Sequence, residues 1–354
     1  MTTTLLSFLF VLAILIFVHE FGHFLVAKKS GIRVERFSLG FPPKIIGKKI
    51  GETEYMISLL PLGGYVKLAG ENPDEISGQP WEFMSKPVLT RALVVLAGPA
   101  MNFFLAILLF WGIFFFAGQQ KSLEDQTVIG IVAKGSPAQL AGIKENDRIV
   151  SINGIPVKNF KEMSKLIHSQ PEKKILVKWE RGKQTFEKEI LTKKEQVLDE
   201  TGKTKEIGMI GVGAVVIRED LNPFKALMAA IGLTFTFCLE ILKFLYGLVT
   251  GTLSLKMIGG PIFIAQIAGE TARQGIVSLF SFTALLSVNL ALLNLLPIPA
   301  LDGGHILFLI IEKLKGKPLS LKQRSIIQQI GMAFLLLLVI IVTYNDIFRL
   351  IGKR

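Results

Sequence analysis

Two histidines and a glutamate interrupt an apolar stretch near the start of the chain, in the sequence FVHEFGHFL at residues 17–25. Residues four apart lie on one face of a helix, so His19 and His23 can reach the same metal ion while Glu20 lies beside them. Two histidines, a carboxylate ligand and an open position for water make a hydrolytic zinc site, in which a nearby glutamate accepts the proton of water. The motif therefore predicts zinc-dependent hydrolysis with Glu20 as the base.

The apolar surroundings strengthen this interpretation. An ionisable side chain at mid-membrane depth costs at least about 2.5–3.5 kcal/mol, so three of them within five residues need a partner. A metal ion in a water-accessible cavity would provide one. The chain has a single cysteine, Cys238, so it can form neither an internal disulfide nor a site of several thiolates. Any further ligand must be His, Asp or Glu.

The third ligand has two candidates in the sequence NLALLNLLPIPALDGGHIL at residues 289–307. Asp302 follows a long apolar run, and His305 lies three residues further on, so the two can share a helix face. Spacing alone does not choose between them. His168, in a polar part of the chain, is interpreted as a surface or groove residue.

The chain is apolar enough for a membrane protein. Half of its 354 residues are hydrophobic and its mean hydropathy is +0.50, which is rare in a soluble domain. A helix needs about 20 apolar residues to cross the hydrocarbon layer. We predict four transmembrane helices, at residues 5–27, 92–118, 276–301 and 326–344.

The basic residues predict how these helices are oriented. Lys and Arg are concentrated between Lys28 and Arg91 and between Lys313 and Arg324, whereas no charged side chain precedes Leu5. Positively charged loops stay in the cytoplasm, so we expect the N-terminus outside and the active site toward the cytoplasmic side. Despite the net charge of +12, no basic cluster is interleaved with aromatic residues, and nucleic acid is not an expected partner.

A shared metal ion also constrains the path between the second and third helices. The histidines and Asp302 lie in the C-terminal parts of their predicted helices, so those two helices must run in the same direction. The chain from residue 118 to residue 276 must then cross the membrane an even number of times. The apolar segment 226–249, interrupted by Glu240 and Lys243, is therefore predicted to lie at the membrane interface.

Residues 119–222 are polar and rich in Lys and Glu. They carry the signals of a small α/β domain: Ser136 and Pro137 at a helix start, Gly142 at its end, an Asn-Gly turn at residues 153–154 and an amphipathic helix in NFKEMSKLIHS. About 100 residues are enough for an independent domain.

This block resembles a PDZ domain of the kind found in bacterial proteases. The resemblance is carried by GSPA at residues 135–138, AG at 141–142, Asp147, Ile149 and ING at 152–154. In that subfamily the strand order is permuted and the carboxylate-binding loop comes last. The resemblance therefore implies that this loop consists of Met209, Ile210, Gly211 and Val212.

A second β-rich segment, EYMISLLPLGGYVKLAG at residues 54–70, lies between the first two predicted helices. Two β-prone stretches flank Pro61 and the pair Gly63-Gly64, which predicts a membrane-associated β-hairpin. Its free edge would offer main-chain hydrogen bonds to an unwound peptide. Gly63 and Gly64 are therefore candidate substrate-contacting residues.

These features occur together in a known family. His19-Glu20-x-x-His23, then Gly98-Pro99 with Asn102, then Asn294-x-x-Pro297-x-Pro299-x-x-Asp302-Gly303 follow the order of the site-2 protease family, and the chain is most similar to its bacterial RseP type. The likeness covers nearly the whole sequence and implies one zinc ion per chain, with Asp302 rather than His305 as the third ligand. RseP proper is similar to a chain with two tandem PDZ domains, whereas this sequence has room for one.

The resemblance implies an intramembrane endopeptidase in the bacterial cytoplasmic membrane. Its expected substrates are single-span membrane proteins trimmed beforehand by another protease, such as membrane-bound anti-sigma factors, or remnant signal peptides. Asn294 is a candidate donor to the substrate backbone, and Asn289 is either a second such contact or a packing residue. Asn102, with Gly98 and Pro99, is interpreted as helix-packing and kink chemistry.

Two other functions were weighed. A metal-binding transporter would need more ionisable residues along a pathway, and the centres of the second and fourth predicted helices contain none. A catalytically idle PDZ receptor would have no use for the base Glu20. The expected fold is thus a polytopic α-helical membrane protein with an inserted α/β domain, divided into residues 1–118, the PDZ domain at 119–217, interfacial helices at 218–275, and the last two transmembrane helices at 276–354.

Overall fold

A computed structural model describes residues 2–71, 75–198 and 204–351. The chain forms two units. The first comprises Met1–Phe114, Pro223–Leu242 and Ser254–Arg354, and the second comprises Phe115–Asn222 and Lys243–Leu253. The second unit contains the whole of the predicted PDZ block, in agreement with its composition.

Long apolar helices dominate the first unit. Its helices are α1 (Thr2–Lys29), α2 (Val88–Ala117), α5 (Pro223–Val249), α6 (Pro261–Gln274), α7 (Ile276–Asn294), α8 (Asp302–Lys315) and α9 (Leu321–Ile351), and the C-terminal parts of α2 and α5 belong to the second unit. Among the described residues, five helices are long and apolar enough to cross a membrane: α1, α2, α5, α7 and most of α9. Four of these coincide with the predicted spans, and α5 covers the segment predicted to lie at the interface.

Helices α1 and α2 are antiparallel and closely packed. His19 contacts Asn102, whereas His23, one turn later on α1, contacts Val94, two turns earlier on α2. A Cβ atom at Gly22 would overlap the Ala97 carbonyl. This glycine therefore lets the two helix backbones approach at the level of the histidine motif.

Helices α1 and α7 run in the same direction. Near the start of α7, Leu279 packs against Val11 of α1. At its end, the Asn294 Nδ2 atom lies 3.5 Å from His19 Nε2. This is the relation that a metal ion shared by the two parts of the chain requires.

The prediction that the third apolar helix continues to residue 301 is wrong. Helix α7 ends at Asn294, and Asp302 is the first residue of a separate helix, α8. Pro297 and Pro299 lack the N–H groups that would continue the helical ladder, and each disfavours helical geometry in the residue before it. The result is an irregular connection that turns the chain toward the histidines.

The segment that contains α5, from Pro223 to Leu255, is attached at both of its ends to the same end of the helix bundle. At its start, Trp111 near the C-terminus of α2 donates to the Pro223 carbonyl over 3.0 Å. At its end, Asn345 near the C-terminus of α9 donates to the Leu255 carbonyl over 3.3 Å.

Two further contacts show that these attachment points lie at one end. Helix α6 packs on the start of α1, where a Cβ atom at Gly269 would overlap Thr4. Asp346 of α9 accepts hydrogen bonds from the backbone N–H groups of Gly260 and Phe263 at the start of α6. The C-terminus of α9, the start of α6 and the start of α1 are therefore neighbours, and the C-terminus of the antiparallel α2 lies toward the same end.

Strands β1 (Val34–Ile50) and β2 (Thr53–Leu68) fold into a small sheet between α1 and α2. Residues 36–39 pair with residues 54–57 on one side and with residues 64–67 on the other, and residues 44–50 pair with residues 53–58. The predicted hairpin is therefore wrong in its pairing, because its two stretches do not pair with each other. Residues 34–39 lie between them, so residues 64–68 form an edge strand and residues 54–58 are interior.

The second unit is a small α/β domain. Its elements are β3 (Gln119–Ser122), β4 (Ile129–Val132), α3 (Pro137–Ala141), β5 (Arg148–Ile152), β6 (Ile155–Pro156), α4 (Phe160–His168), β7 (Lys174–Arg181), β8 (Gln184–Leu191), β9 (Lys193–Leu198), β10 (Thr204–Met209), β11 (Val212–Ala214) and β12 (Val216–Glu219). A four-stranded sheet in the order β6-β5-β7-β8 is joined by the antiparallel pairs β11-β4, β12-β3 and β9-β10.

The local signals read from this block are confirmed. Ser136 caps α3 by accepting from the Gln139 N–H, and Gly142 ends it with a positive φ of 98°. Met163 and Ile167 of α4 are buried in one apolar cluster with Ile149. Asp147 is fully buried, where desolvation opposes its ionisation, but hydrogen bonds from Arg181 outweigh that cost and lower the pKa of the Asp147 carboxyl group.

Candidate active site

Three side chains from two distant parts of the sequence meet in the first unit. His19 and His23 of α1 have their Nε2 atoms 3.2 Å apart. The Asp302 carboxylate at the start of α8 lies 3.1 Å from His19 Nε2 and 3.6 Å from His23 Nε2. The described residues contain one group of His, Cys, Asp and Glu whose ligand atoms converge in this way, all within 4.8 Å of one another.

The donor set fits a zinc ion. The Asp302 Oδ2 atom is buried, and its polar neighbour is His19 Nε2, which donates no hydrogen bond to it when that nitrogen keeps its lone pair for a metal. A buried carboxylate oxygen without a donor is costly, and a cation between it and the two imidazoles would remove that cost. Two histidine nitrogens and one carboxylate oxygen, with room for water, are the donor set of catalytic zinc.

Helix α2 packs against both histidine rings and hydrogen-bonds to the Nδ1 atom of His23. The Nδ1 atom of His23 lies 2.8 Å from the Val94 carbonyl oxygen, so Nδ1–H donates and Nε2 stays free for a metal. A Cβ atom at Gly98 would overlap the His23 ring and would lie 2.9 Å from His19 Cε1. Gly98 therefore makes room for both imidazoles, a role beyond the helix packing and kink chemistry that the sequence predicts for it.

Two glycines also let α8 begin where Asp302 is needed. A Cβ atom at Gly303 would be 2.5 Å from the Leu295 carbonyl carbon, and one at Gly304 would be 2.5 Å from the Ile298 carbonyl oxygen. The first turn of α8 therefore packs directly on the proline-containing connection. This packing fixes the position of the carboxylate relative to the end of α7.

Glu20 lies between the histidines and the edge strand. It lines a cavity of about 90 Å³ together with His23, Asp302, Glu71 and His305. The Val66 main chain hydrogen-bonds to its carboxylate, and a Cβ atom at Gly64 would be 3.0 Å from its Cγ. The base candidate thus faces both the metal ligands and the backbone of the edge strand.

The other predicted substrate contacts lie at different distances from this centre. Asn294 is beside His19, as described above. Asn289 is half-buried on α7, five residues earlier and on another face of the helix. Gly63 lies against the Phe41 ring, whereas Gly64 is the glycine that approaches Glu20. His305 lines the cavity but is not part of the converging group.

The predicted carboxylate-binding loop belongs to the second unit. Met209 ends β10, Gly211 has a positive φ of 79°, and Val212 begins β11. The buried Ile210 and Gly211 direct their carbonyl oxygens inward, where they accept from the N–H groups of Ala138 and Ala133. These four residues form a tight loop anchored beside the start of α3.

Comparison with known proteins identifies the family. A family model described as peptidase family M50 matches residues 7–338. The chain belongs to peptidase family M50. This confirms the likeness to the site-2 proteases, a zinc-dependent type of membrane-embedded peptidase.

Relatives of this M50 chain match it along almost its entire length. The regulator of sigma-W protease RasP from Bacillus subtilis is 34% identical, with 98% of this chain and 99% of that protein covered. A protein of Rhizobium meliloti assigned as a zinc metalloprotease is 36% identical, with 99% and 97% covered. The zinc metalloprotease RasP of Shouchella clausii is 31% identical over 98% of this chain and 99% of its own length. The M50 chain is thus a zinc metalloprotease.

A solved structure is similar over a shorter part. The PDZ domain of an SdrC-like protein from Listeria monocytogenes covers 27% of this chain and 93% of its own length, at 22% identity and a TM-score of 0.21.

Proposed function

We propose that this M50 protease cleaves a peptide bond within the transmembrane segment of single-span membrane proteins, with His19, His23 and Asp302 as the zinc ligands and Glu20 as the base. The observation that carries the proposal is the convergence of those three ligand atoms beside Glu20 and the edge strand, inside a bundle of apolar helices. A bound zinc ion would supply Lewis acidity, polarising the scissile carbonyl and lowering the pKa of water.

Glu20 performs the proton transfers. Its carboxylate lies beside the ligand atoms and lines the cavity that reaches them, so it can accept a proton from the attacking water. The same group can then donate that proton to the leaving amine nitrogen as the carbon–nitrogen bond breaks. A base positioned in this way contributes about 10²–10⁴-fold to the rate.

The edge strand receives the substrate. A transmembrane helix must unwind before its peptide bond can be attacked, and unwound backbone in lipid needs new hydrogen-bond partners. Residues 64–68 pair with residues 34–39 on one side only among the described pairings, and Glu20 lies at their other side. A substrate strand added there would pass its backbone beside the base and the metal ligands.

Asn294 is the second contact with the substrate in this proposal. Its Nδ2 group lies 3.5 Å from His19 Nε2, so it can donate a hydrogen bond to the scissile carbonyl oxygen of a bound peptide. It would therefore orient the substrate and stabilise the negative charge that develops on that oxygen. Asn289, on another face of α7, is assigned to packing.

The topology that we propose has four crossings, with the N-terminus and the PDZ domain outside and the metal site toward the cytoplasmic side of the bacterial cytoplasmic membrane. Supporting it are the parallel directions of α1 and α7 and the attachment of both ends of the segment 223–255 to one end of the bundle. Helix α5 then lies along the interface or obliquely in the outer leaflet. The domain boundaries remain those read from the sequence, with the PDZ domain at residues 119–217.

The substrates that we propose are regulatory single-span proteins trimmed by another protease, or remnant signal peptides. The name of the Bacillus subtilis relative, a regulator of sigma-W protease, supports a regulatory substrate of the anti-sigma-factor type. The loop at residues 209–212 would bind carboxyl termini.

The decisive experiment replaces Glu20 by Gln and compares it with Glu71→Gln, since both carboxylates line the same cavity. Glu20→Gln should keep zinc at wild-type stoichiometry and lose cleavage of a model transmembrane peptide by about 10²–10⁴-fold, because the ligands are intact and only the base is missing. Glu71→Gln should retain zinc and most of the cleavage. The measurements are zinc content of the purified protein and the cleavage rate in detergent or nanodiscs.

Other outcomes distinguish the rival functions. Normal turnover by Glu20→Gln would show that Glu20 is not the base. Zinc-dependent peptide binding without cleavage by the wild-type protein would favour an idle receptor, and zinc flux across liposomes would favour a transporter.

A further inference from the structure

Asn102 lies behind His19 and is fully buried in α2. Its Nδ2 atom is 3.2 Å from His19 Nδ1. Its Oδ1 atom is also buried and has no hydrogen-bond partner among the described residues. A buried amide oxygen without a donor is costly, so the orientation of this amide requires an explanation.

The chemistry of the neighbouring histidine supplies that explanation. The Nε2 atom of His19 faces Asp302 and His23, so Nε2 must keep its lone pair to serve as a metal ligand. A neutral imidazole with a free Nε2 carries its proton on Nδ1. If the Asn102 Nδ2 group faced that Nδ1–H, two hydrogen-bond donors would point at each other.

Turning the Asn102 amide by 180° resolves the conflict. The oxygen and nitrogen of an amide have nearly the same shape, and their assignment follows from the hydrogen-bond network. In the turned orientation, Oδ1 accepts from His19 Nδ1–H and gains the partner that it lacks. His23 already has the equivalent arrangement, since its Nδ1–H donates to Val94 of the same helix.

We propose that Asn102 is a positioning residue that accepts a hydrogen bond from His19 Nδ1–H and thereby holds His19 in the tautomer that binds zinc through Nε2. Helix α2 then supplies the outer hydrogen-bond acceptor for both histidine ligands, one from its main chain and one from a side chain. Acceptors of this kind orient the ring and raise its basicity, and their loss costs about 10–100-fold in metal affinity.

Asn102 substitutions separate this role from simple packing. Leu has a similar volume but no acceptor, whereas Asp keeps an acceptor at the same position. We expect Asn102→Leu to weaken zinc binding by about 10–100-fold and Asn102→Asp to retain it within a few-fold. A packing role predicts the reverse order, since Leu is tolerated among apolar helices and a buried carboxylate is not.

A neighbouring residue provides the matched control. Ser287 of α7 is as fully buried as Asn102, and its hydroxyl donates to the Asn102 main-chain carbonyl over 2.7 Å. Ser287→Ala therefore disturbs the same contact between α2 and α7 without touching His19. It should leave the zinc dissociation constant unchanged, as measured by competition with a chromophoric chelator.

The inference rests on the proposed ligation by His19, so His19→Ala is measured in parallel. If His19→Ala loses zinc and Asn102→Leu binds it as tightly as the wild type, the ligand assignment stands and the role of Asn102 is wrong. If His19→Ala keeps wild-type affinity, the proposed site itself is wrong.

A spectroscopic measurement covers the case in which Asn102→Asp does not fold. Nitrogen-15 NMR of the zinc-loaded protein labelled at histidine should show two rings with protonated Nδ1 and zinc-shifted Nε2. Asn102→Leu should move the Nδ1–H resonance of one of these rings and leave the other in place. Movement of both resonances or of neither would overturn the proposal.

Discussion

At the scale of single residues, the site depends on glycines that leave space for the histidine rings as well as on the histidines themselves. Gly22 and Gly98 remove side chains where α1 and α2 approach, which brings the histidines against α2 and within reach of Val94 and Asn102. A metal ligand is useful only when its ring is held in one orientation. The glycines and the outer hydrogen bonds therefore belong to the site as much as the ligands do.

Replacing Gly98 by Ala tests this view. The added methyl group would overlap the His23 ring and press on His19, so the ligand atoms must move apart. We expect zinc affinity to fall at least about 10-fold, as for other changes that disorient ligands, while the helix itself is stabilised because Ala has the higher helix propensity.

Gly112→Ala is the control for that change, since it lies on the same helix and the added Cβ would meet nothing within 4 Å. The measurements are zinc content and thermal unfolding of the Gly98→Ala and Gly112→Ala variants. Wild-type zinc affinity in Gly98→Ala would show that the rings can move aside without cost.

At the scale of elements, the strand order of the small sheet limits where the proposed addition of a substrate strand can occur. Residues 54–58 lie between two other strands, so a proline there would break the sheet and would not test an edge. Residues 64–68 form the edge beside Glu20. The proposed substrate-binding edge is therefore one strand, residues 64–68, and not the whole predicted hairpin.

Val66→Pro tests recognition of the substrate main chain by this strand. Proline removes the Val66 N–H group, which hydrogen-bonds to the Glu20 carboxylate at the outer side of this strand, so the proposed substrate edge loses a main-chain donor beside the base. We expect cleavage to fall at least about 10-fold, which corresponds to about 1.4 kcal/mol of lost binding or transition-state stabilisation, with zinc content unchanged.

Val66→Ala is the matched control, since it keeps the N–H group and changes only the side chain. It should cleave at close to the wild-type rate. If the two substitutions reduce cleavage equally, the side chain rather than the main chain is recognised, and strand addition is the wrong mechanism.

At the scale of the whole molecule, the path that we propose for the chain across the membrane rests on where α1, α7 and α9 begin and end. An out-to-in crossing by α5 would have to return before residue 255, which contacts the C-terminal end of α9. The return would have to be made within six residues after Val249, at most about 3.3–3.6 Å each. Such a length is shorter than the hydrocarbon core of about 30 Å.

Single cysteines test this path, in a background in which the native Cys238 is replaced by Ser. Cysteines introduced at Asp220 and Ser254 flank α5, and we expect a membrane-impermeant maleimide to label both from outside intact cells. A cysteine at Ser320, between α8 and α9, should label only after the membrane is permeabilised. Labelling of the Asp220 and Ser254 positions from opposite sides would show that α5 is a fifth crossing.

The chemistry of the site can be predicted from residues that are close together in the chain. Histidines four residues apart and an adjacent glutamate can be read from a string because helical periodicity is local, and their cost in lipid makes chance occurrence a poor explanation. The caps of α3, the Asn-Gly turn and the buried face of α4 were likewise predictable, because each depends on residues close together in the chain.

The way in which distant segments meet is visible in the folded structure and not in the sequence. Asp302 and His305 are equivalent by spacing, and it is the proline-containing connection and the packing of Gly303 and Gly304 that bring Asp302 to the histidines. The order of the strands around residues 34–39 and the contact between Asn102 and His19 were also beyond sequence reasoning. Pairing and packing between residues far apart in the chain depend on the whole set of contacts that form together, and no periodicity within either segment records them.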